Sequence, residues 1–258
     1  MTEPVIDAHI HLGPPKYATI EQFTATARAE RIAGALLVQH MGNTDNSYLA
    51  DVRSTEPERF VALAIVDSVE QVARVLSDGF AGLRLGPLGL PEPSGQEVFD
   101  ALDAHGAAVS VTGPPDEVVS DAFLRTVRAH PRVRFRIEHV GGFRYGETEA
   151  DRLAFRRLLR LADEPNVTLM WSGFFLNAGT DFPYPNTHAF LAETLAAYGS
   201  ERIMWSGDWN REGLAAGDYR RAIELVGLVV NDPEAQADIL RRTAIRVFGI
   251  GSVSTKGA

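Results

Sequence analysis

Apolar, β-branched runs bounded by turn residues recur along the chain at residues 4–8, 33–39, 60–66, 80–85, 107–112, 133–138, 166–172 and 202–206. Near-continuous apolarity, in place of strict alternation, is what strands buried on both faces require, so the pattern predicts a parallel sheet covered on each side. The intervening segments show helical periodicity. Val69, Val72 and Leu76 form one apolar stripe, and Phe155, Leu158, Leu159 and Leu161 form another. Capping-box pairs open several of these segments: Thr19 with Gln22, Ser68 with Gln71, and Ser94 with Glu97. Strand starts fall roughly 20 to 35 residues apart, the length of one βα unit. Eight such units within 258 residues predict an α/β fold, a single (β/α)8 TIM barrel over residues 1–250 with a flexible tail at 251–258. A doubly wound sheet is the alternative.

Composition narrows the function classes. Hydrophobic residues make up 45% and charged residues 23%, an ordinary globular balance that argues against disorder, collagen and coiled coil. A single domain of this size buries roughly three quarters of its unfolded surface, so its core needs no disulfide or metal staple. The absence of cysteine excludes thiolate metal sites and Cys nucleophiles, leaving His and carboxylate as ligands for any metal. Lys and Arg number 25 against 34 Asp and Glu, a net charge of −9 with no basic run, so neither nucleic acid nor an anionic membrane is an expected partner. The N-terminus MTEPVIDAHIHLG has no basic or apolar leader region, and no apolar stretch approaches the ~20 residues of a spanning helix. The expectation is a cytoplasmic protein, with a homo-oligomer left open.

In a barrel of this kind, reactive groups sit where strands end and βα loops begin. His9 and His11 close the first run, and a period of two sends both imidazoles to the same side. His139 ends the sixth run ahead of Gly141 and Gly142, which permit tight backbone geometry. Asp208 ends the eighth. Strand eight closes beside strand one, so Asp208 is expected next to His9 and His11 as a single site. The competing readings are core histidines satisfied by hydrogen bonds and an Asp that caps the following helix.

An HxH after strand one, a His after strand six and an Asp after strand eight resemble the amidohydrolase superfamily, and the likeness runs on to LRRTAIRVFG near the C-terminus. IEHVGG, NVTLMWSG and RIMWSGDW resemble more narrowly the amidohydrolase-2 branch, which contains 2-pyrone-4,6-dicarboxylate lactonase, sugar lactonases and several decarboxylases. His9, His11 and Asp208 offer three ligands of the kind a mononuclear divalent site, Zn or Mn, accepts, with one position left for water. Metal-dependent decarboxylases of this branch add a His from strand five, where this chain reads AAVSVTG; Ser110 or Thr112 offers only a hydroxyl. Strand four, GLRLG, has no Lys to bridge two metals. The resemblance therefore implies one metal at most, weakly bound, optional or absent.

Arg84 stands inside an apolar strand, where an unpaired guanidinium is costly unless it meets an anion, either a substrate carboxylate or an internal Asp or Glu. Arg144 and Arg211 fall on loops after strands six and eight. Lys16, Tyr17, His40, Met41, Trp171, Phe174 and Phe175 are candidate pocket-lining residues. The expected activity is hydrolysis of a small carboxylate-bearing lactone. Asp208 takes the proton of the attacking water, and His9, His11 and His139, or a metal they help hold, polarise the carbonyl. Arg84, Arg144 and Trp171 are the expected substrate-binding residues. The alternative is metal-dependent, non-oxidative decarboxylation of an aromatic or unsaturated acid; a non-catalytic acid-binding barrel and cyclic-ureide hydrolysis rank lower.

Overall fold

A computed structural model describes residues 3–91, 95–145, 148–210 and 217–251. Its strands are β1 (Val5–Ile10), β2 (Ile32–Val38), β3 (Phe60–Ala64), β4 (Gly82–Leu85), β5 (Ala108–Val111), β6 (Arg134–Ile137), β7 (Val167–Trp171) and β8 (Ile203–Trp205), each within one predicted run or shifted from it by one or two residues. They pair in parallel in the order β1 to β8. A parallel bridge between Ile10 and Trp209 joins the ends, with the His11 amide donating to the Trp209 carbonyl at 2.6 Å. Helices lie between successive strands, and the architecture is a (β/α)8 barrel.

Alternation along the strands divides the core in two. Residues such as Leu83, Leu85, Val109, Val111, Phe135, Ile137, Leu169 and Trp171 face the helix layer. Ile6, Ala8, Leu36, Val38, Leu63, Ala108, Met170 and Met204 fill the barrel interior, where they meet Val247 and Phe248 of the helix Thr243–Phe248. That helix stops the bottom of the barrel, held by the Arg134 guanidinium donating to the Val247 carbonyl. Active chemistry is thereby confined to the opposite, C-terminal mouth.

Two local features set the direction of the site residues. In β1, Asp7 pairs with Ala35 and Ile10 with Leu37, three residues against two. This bulge turns Asp7 outward while His9 and His11 both enter the barrel. Register then aligns Arg84 with Ser110 and Ser110 with Arg136, so three polar side chains on β4, β5 and β6 occupy one row of the interior.

The Thr19/Gln22 capping box is present in both halves. The expected box at Ser68 is replaced: the helix Glu70–Ser77 has Val69 at its cap, and Gln71 reaches back to the Asp67 amide at 3.3 Å. Ser94 and residues 252–258 of the expected tail lie outside the described residues, whereas the Gly251 amide donates to Glu58 at 2.7 Å. No helix among the described residues is long and apolar enough to cross a membrane.

Candidate active site

His9, His11, His139 and Asp208 converge at the C-terminal mouth. His9 Nε2 lies 3.1 Å from His11 Nε2, and each is 3.9 Å from Asp208 Oδ1. The His139 ring centroid is 5.5 Å from that of His9. His9 and Asp208 are fully buried, while the His139 side chain keeps 12% exposure, so approach from solvent is on the His139 side. Asp208 and His139 both sit in the left-handed region, with φ of 54° and 50°. For non-glycine residues this strain costs about 1–3 kcal/mol each and is concentrated at functional sites. The Asp208 amide donates to Ser206 Oγ at 2.9 Å, and Ser206 Oγ donates to the His9 carbonyl at 2.8 Å, which ties the end of β8 to β1. Gly141, at φ 79°, permits the turn after His139; a Cβ there would meet the Phe143 ring at 2.7 Å.

Each imidazole has an assigned neighbour. His11 Nδ1 donates to the Val38 carbonyl at 2.7 Å, which leaves Nε2 as its acceptor. His139 Nδ1 lies 2.6 Å from Ser172 Oγ. The Tyr17 ring stacks on His11 at 5.0 Å and leans on His40 at 5.3 Å. Burial, reinforced by the Arg84 charge, pushes the His11 imidazole down to about 3. Burial also holds His9 well below its ordinary value, with help from His11, Arg136 and Arg84. Both are neutral at physiological pH. Asp7, turned outward, accepts from Tyr219 Oη at 2.6 Å and from the amides of His9 and Gly207. Burial, only partly offset by these bonds, raises its carboxyl to about 6.

Below the histidines lies a charged network that sequence reasoning found only in part. Arg84 donates from Nε and Nη2 to the two Glu138 oxygens at 3.0 and 2.7 Å, and from Nη1 to the Gln39 carbonyl at 3.3 Å. The anion its burial demanded is therefore an internal glutamate, and an unmet charge no longer argues for a substrate at this residue. Ser110 Oγ donates to Glu138 Oε1 and accepts from Arg136, whose Nη1 donates to the Ala8 carbonyl. Arg136 Nη2 lies 2.9 Å from His9 Nδ1. Burial would raise the Glu138 carboxyl, but Arg84, His139 and Arg136 override it and hold the group below the usual carboxylate range. Arg136 and Glu138 carry the same signal that singled out Arg84: charge inside an apolar strand, here alternating through RFRIE.

Other expected residues are placed differently. Trp171 is fully buried and faces the helices, its indole donating to Thr194 at 3.0 Å. Period two sends Met170 and Ser172 inward and Trp171 out, so it is corrected from pocket to core. Phe174 is buried, whereas Arg144, Lys16 and Met41 are exposed. Arg211 lies outside the described residues.

A divalent ion needs several His or carboxylate ligand atoms converging on one point. Two groups, His9 with His11 and Asp208, and His9 with Glu138 and His139, have ligand atoms close enough in space and right in kind. A metal-bound imidazole normally donates its second N–H to a carboxylate or carbonyl. His11 does so, but His9 Nδ1 faces a guanidinium, which can only donate, while Glu138 is 3.7 Å away and its Oε1 is taken by Arg84 and Ser110. As they stand, these residues do not fit a metal on His9 Nε2.

The family's sequence profile, described as amidohydrolase, matches residues 6–250, and the chain belongs to this Amidohydro_2 family of amidohydrolase-type enzymes. No curated protein matches it by sequence. Among solved structures, a Pseudomonas putida protein provisionally named 2-pyrone-4,6-dicarboxylic acid hydrolase superposes with a TM-score of 0.80 at 20% identity, over 96% of this chain and 98% of that one. A zinc-bound amidohydrolase from Burkholderia multivorans gives 0.80 at 17% identity, over 96% and 100%. A dihydroxybenzoic acid decarboxylase from Polaromonas with bound manganese gives 0.67 at 15% identity, over 100% of both chains. At such identities the likeness establishes the fold.

Proposed function

We propose that the protein hydrolyses a small carboxylate-bearing lactone without a metal, with Asp208 as general base. The observation that carries this reading is the approach of Asp208, on the far side of the sequence, to the Nε2 atoms of His9 and His11 at 3.9 Å. Water on the His139 side gives its proton to Asp208 as its oxygen attacks the lactone carbonyl. The C=O electron pair moves onto oxygen, where an imidazole N–H stabilises it in a dry site. Collapse breaks the ring C–O bond, and the departing oxygen regains the proton from Asp208. The product is a ring-opened hydroxy or enol acid.

We assign the substrate carboxylate to the exposed cations Arg144 and Lys16. The Pseudomonas protein provisionally named as a pyrone dicarboxylate hydrolase supports this choice.

The test is a panel of carboxylated lactones, 2-pyrone-4,6-dicarboxylate included, beside uncarboxylated counterparts. Ring opening is expected for carboxylated members, with loss of on the order of 10²–10⁴ in kcat for Asp208→Asn. Failure on every lactone, with carbon dioxide released from a hydroxybenzoic acid in the presence of zinc or manganese, would replace this reading with decarboxylation.

A further inference from the structure

We infer that Arg136 is a positioning residue that holds the single proton of neutral His9 on Nε2, making His9 and His11 a donor–acceptor pair and turning the site away from divalent metals. Arg136 is fully buried in the barrel interior, with its guanidinium 5.6 Å from the Phe248 ring that stops the barrel from below. Such a group survives burial by committing its N–H groups, and Arg136 directs them to the Ala8 carbonyl, Ser110 Oγ and His9 Nδ1. A guanidinium has no acceptor. Nδ1 of His9, 2.9 Å from Nη2, must therefore present its lone pair, and the ring proton goes to Nε2.

The facing ring is fixed in the opposite sense. His11 Nδ1 donates to the Val38 carbonyl, so its Nε2 is bare and accepts the His9 Nε2–H across 3.1 Å. Both tautomers are satisfied without any ion. A metal on His9 Nε2 would move the ring proton to Nδ1, where it would confront the N–H of Arg136. Glu138, the acceptor that could receive it, is 3.7 Å away with Oε1 engaged by Ser110 and Arg84. Ser110 thus anchors Arg136, and Arg136 occupies the place of the acceptor to which a metal-bound histidine gives its other ring N–H. When substrate arrives, the same arrangement offers one imidazole N–H, that of His9, to a carbonyl oxygen.

This assignment can be read on substrate-free protein, so it stands or falls apart from the lactonase proposal. Histidine 15N shifts distinguish protonated from bare ring nitrogens; protein labelled at its histidines, with His9 identified from the signals lost in His9→Gln, gives the tautomer directly. The expected spectrum of wild-type protein, freed of metal, shows His9 protonated at Nε2 and bare at Nδ1. In Arg136→Gln the amide oxygen can accept from Nδ1–H, so the tautomer should invert and zinc affinity, from competition with a chromophoric chelator, should rise on the order of tenfold or more. Arg136→Lys keeps a donor against Nδ1 and should retain the wild-type tautomer and weak zinc binding. A wild-type His9 protonated at Nδ1, or a folded Arg136→Gln with wild-type tautomer and zinc affinity, overturns the inference. If Arg136→Gln does not fold, the wild-type spectrum decides alone.

Discussion

Glu138→Gln removes the carboxylate on which the guanidiniums of the barrel interior converge. Glu138 is 2% exposed, takes two bonds from Arg84 at 3.0 and 2.7 Å, lies 3.8 Å from Arg136 and accepts from Ser110. Removing one member of a buried ion pair costs about 3–5 kcal/mol, because the remaining charge is stranded. The amide preserves shape and one acceptor oxygen, which places the loss near the lower end, about 3 kcal/mol. At about 2–4 °C per kcal/mol for a chain of this size, the melting temperature should fall by roughly 6–12 °C. Urea unfolding gives the free energy, and a thermal scan gives Tm. The pair is further resolved by a double-mutant cycle: Glu138→Leu with Arg84→Met should recover part of the loss, because neither partner is then left charged. Glu138→Gln within about 1 kcal/mol of wild type, or a double variant as unstable as the sum of the singles, would refute the claim that Arg84 is neutralised internally.

Other expectations follow from the same contacts. Trp171→Phe should leave lactone turnover unchanged while costing about 1 kcal/mol from loss of its bond to Thr194; a large rise in KM would return Trp171 to the pocket. The His9 and His11 imidazoles are held below their ordinary value in the fold, His11 to about 3. The unfolded chain therefore binds more protons below pH 6.5, and stability should fall on acidification by about 1.4 kcal/mol per histidine per pH unit. Asp7, raised to about 6, acts oppositely between about pH 6 and 4, since the fold then holds the extra proton. Urea midpoints across pH 7 to 4 should show a net acid loss that flattens in His11→Gln; a flat wild-type profile would contradict the buried neutral pair.

The barrel was legible because each strand falls in a largely apolar run of its own, and strand eight had to close beside strand one for the fold to have no edge. His9, His11, His139 and Asp208 were legible for the same reason, as polar residues at the ends of such runs. The direction of Trp171 was missed although it was accessible: Leu169 and Trp171 share a face by period two, and the opposite residues, Met170 and Ser172, are those that enter the barrel. The outward turn of Asp7 was not accessible, because it depends on a bulge, and a bulge breaks the alternation from which facing is read. Arg84 posed a question with two answers, and only three-dimensional register could choose Glu138, 54 positions away. Arg136 was hidden behind its neighbour His139, even though a second arginine in an apolar strand poses the same demand for partners.

Lactone opening by Asp208 and the imidazoles with no metal taking part is tested most directly by chelation. Initial rates on a carboxylated lactone should be the same for protein as purified, for protein dialysed against a strong chelator, and for that protein resupplied with zinc or manganese. Activity abolished by the chelator and restored by either ion would contradict the claim.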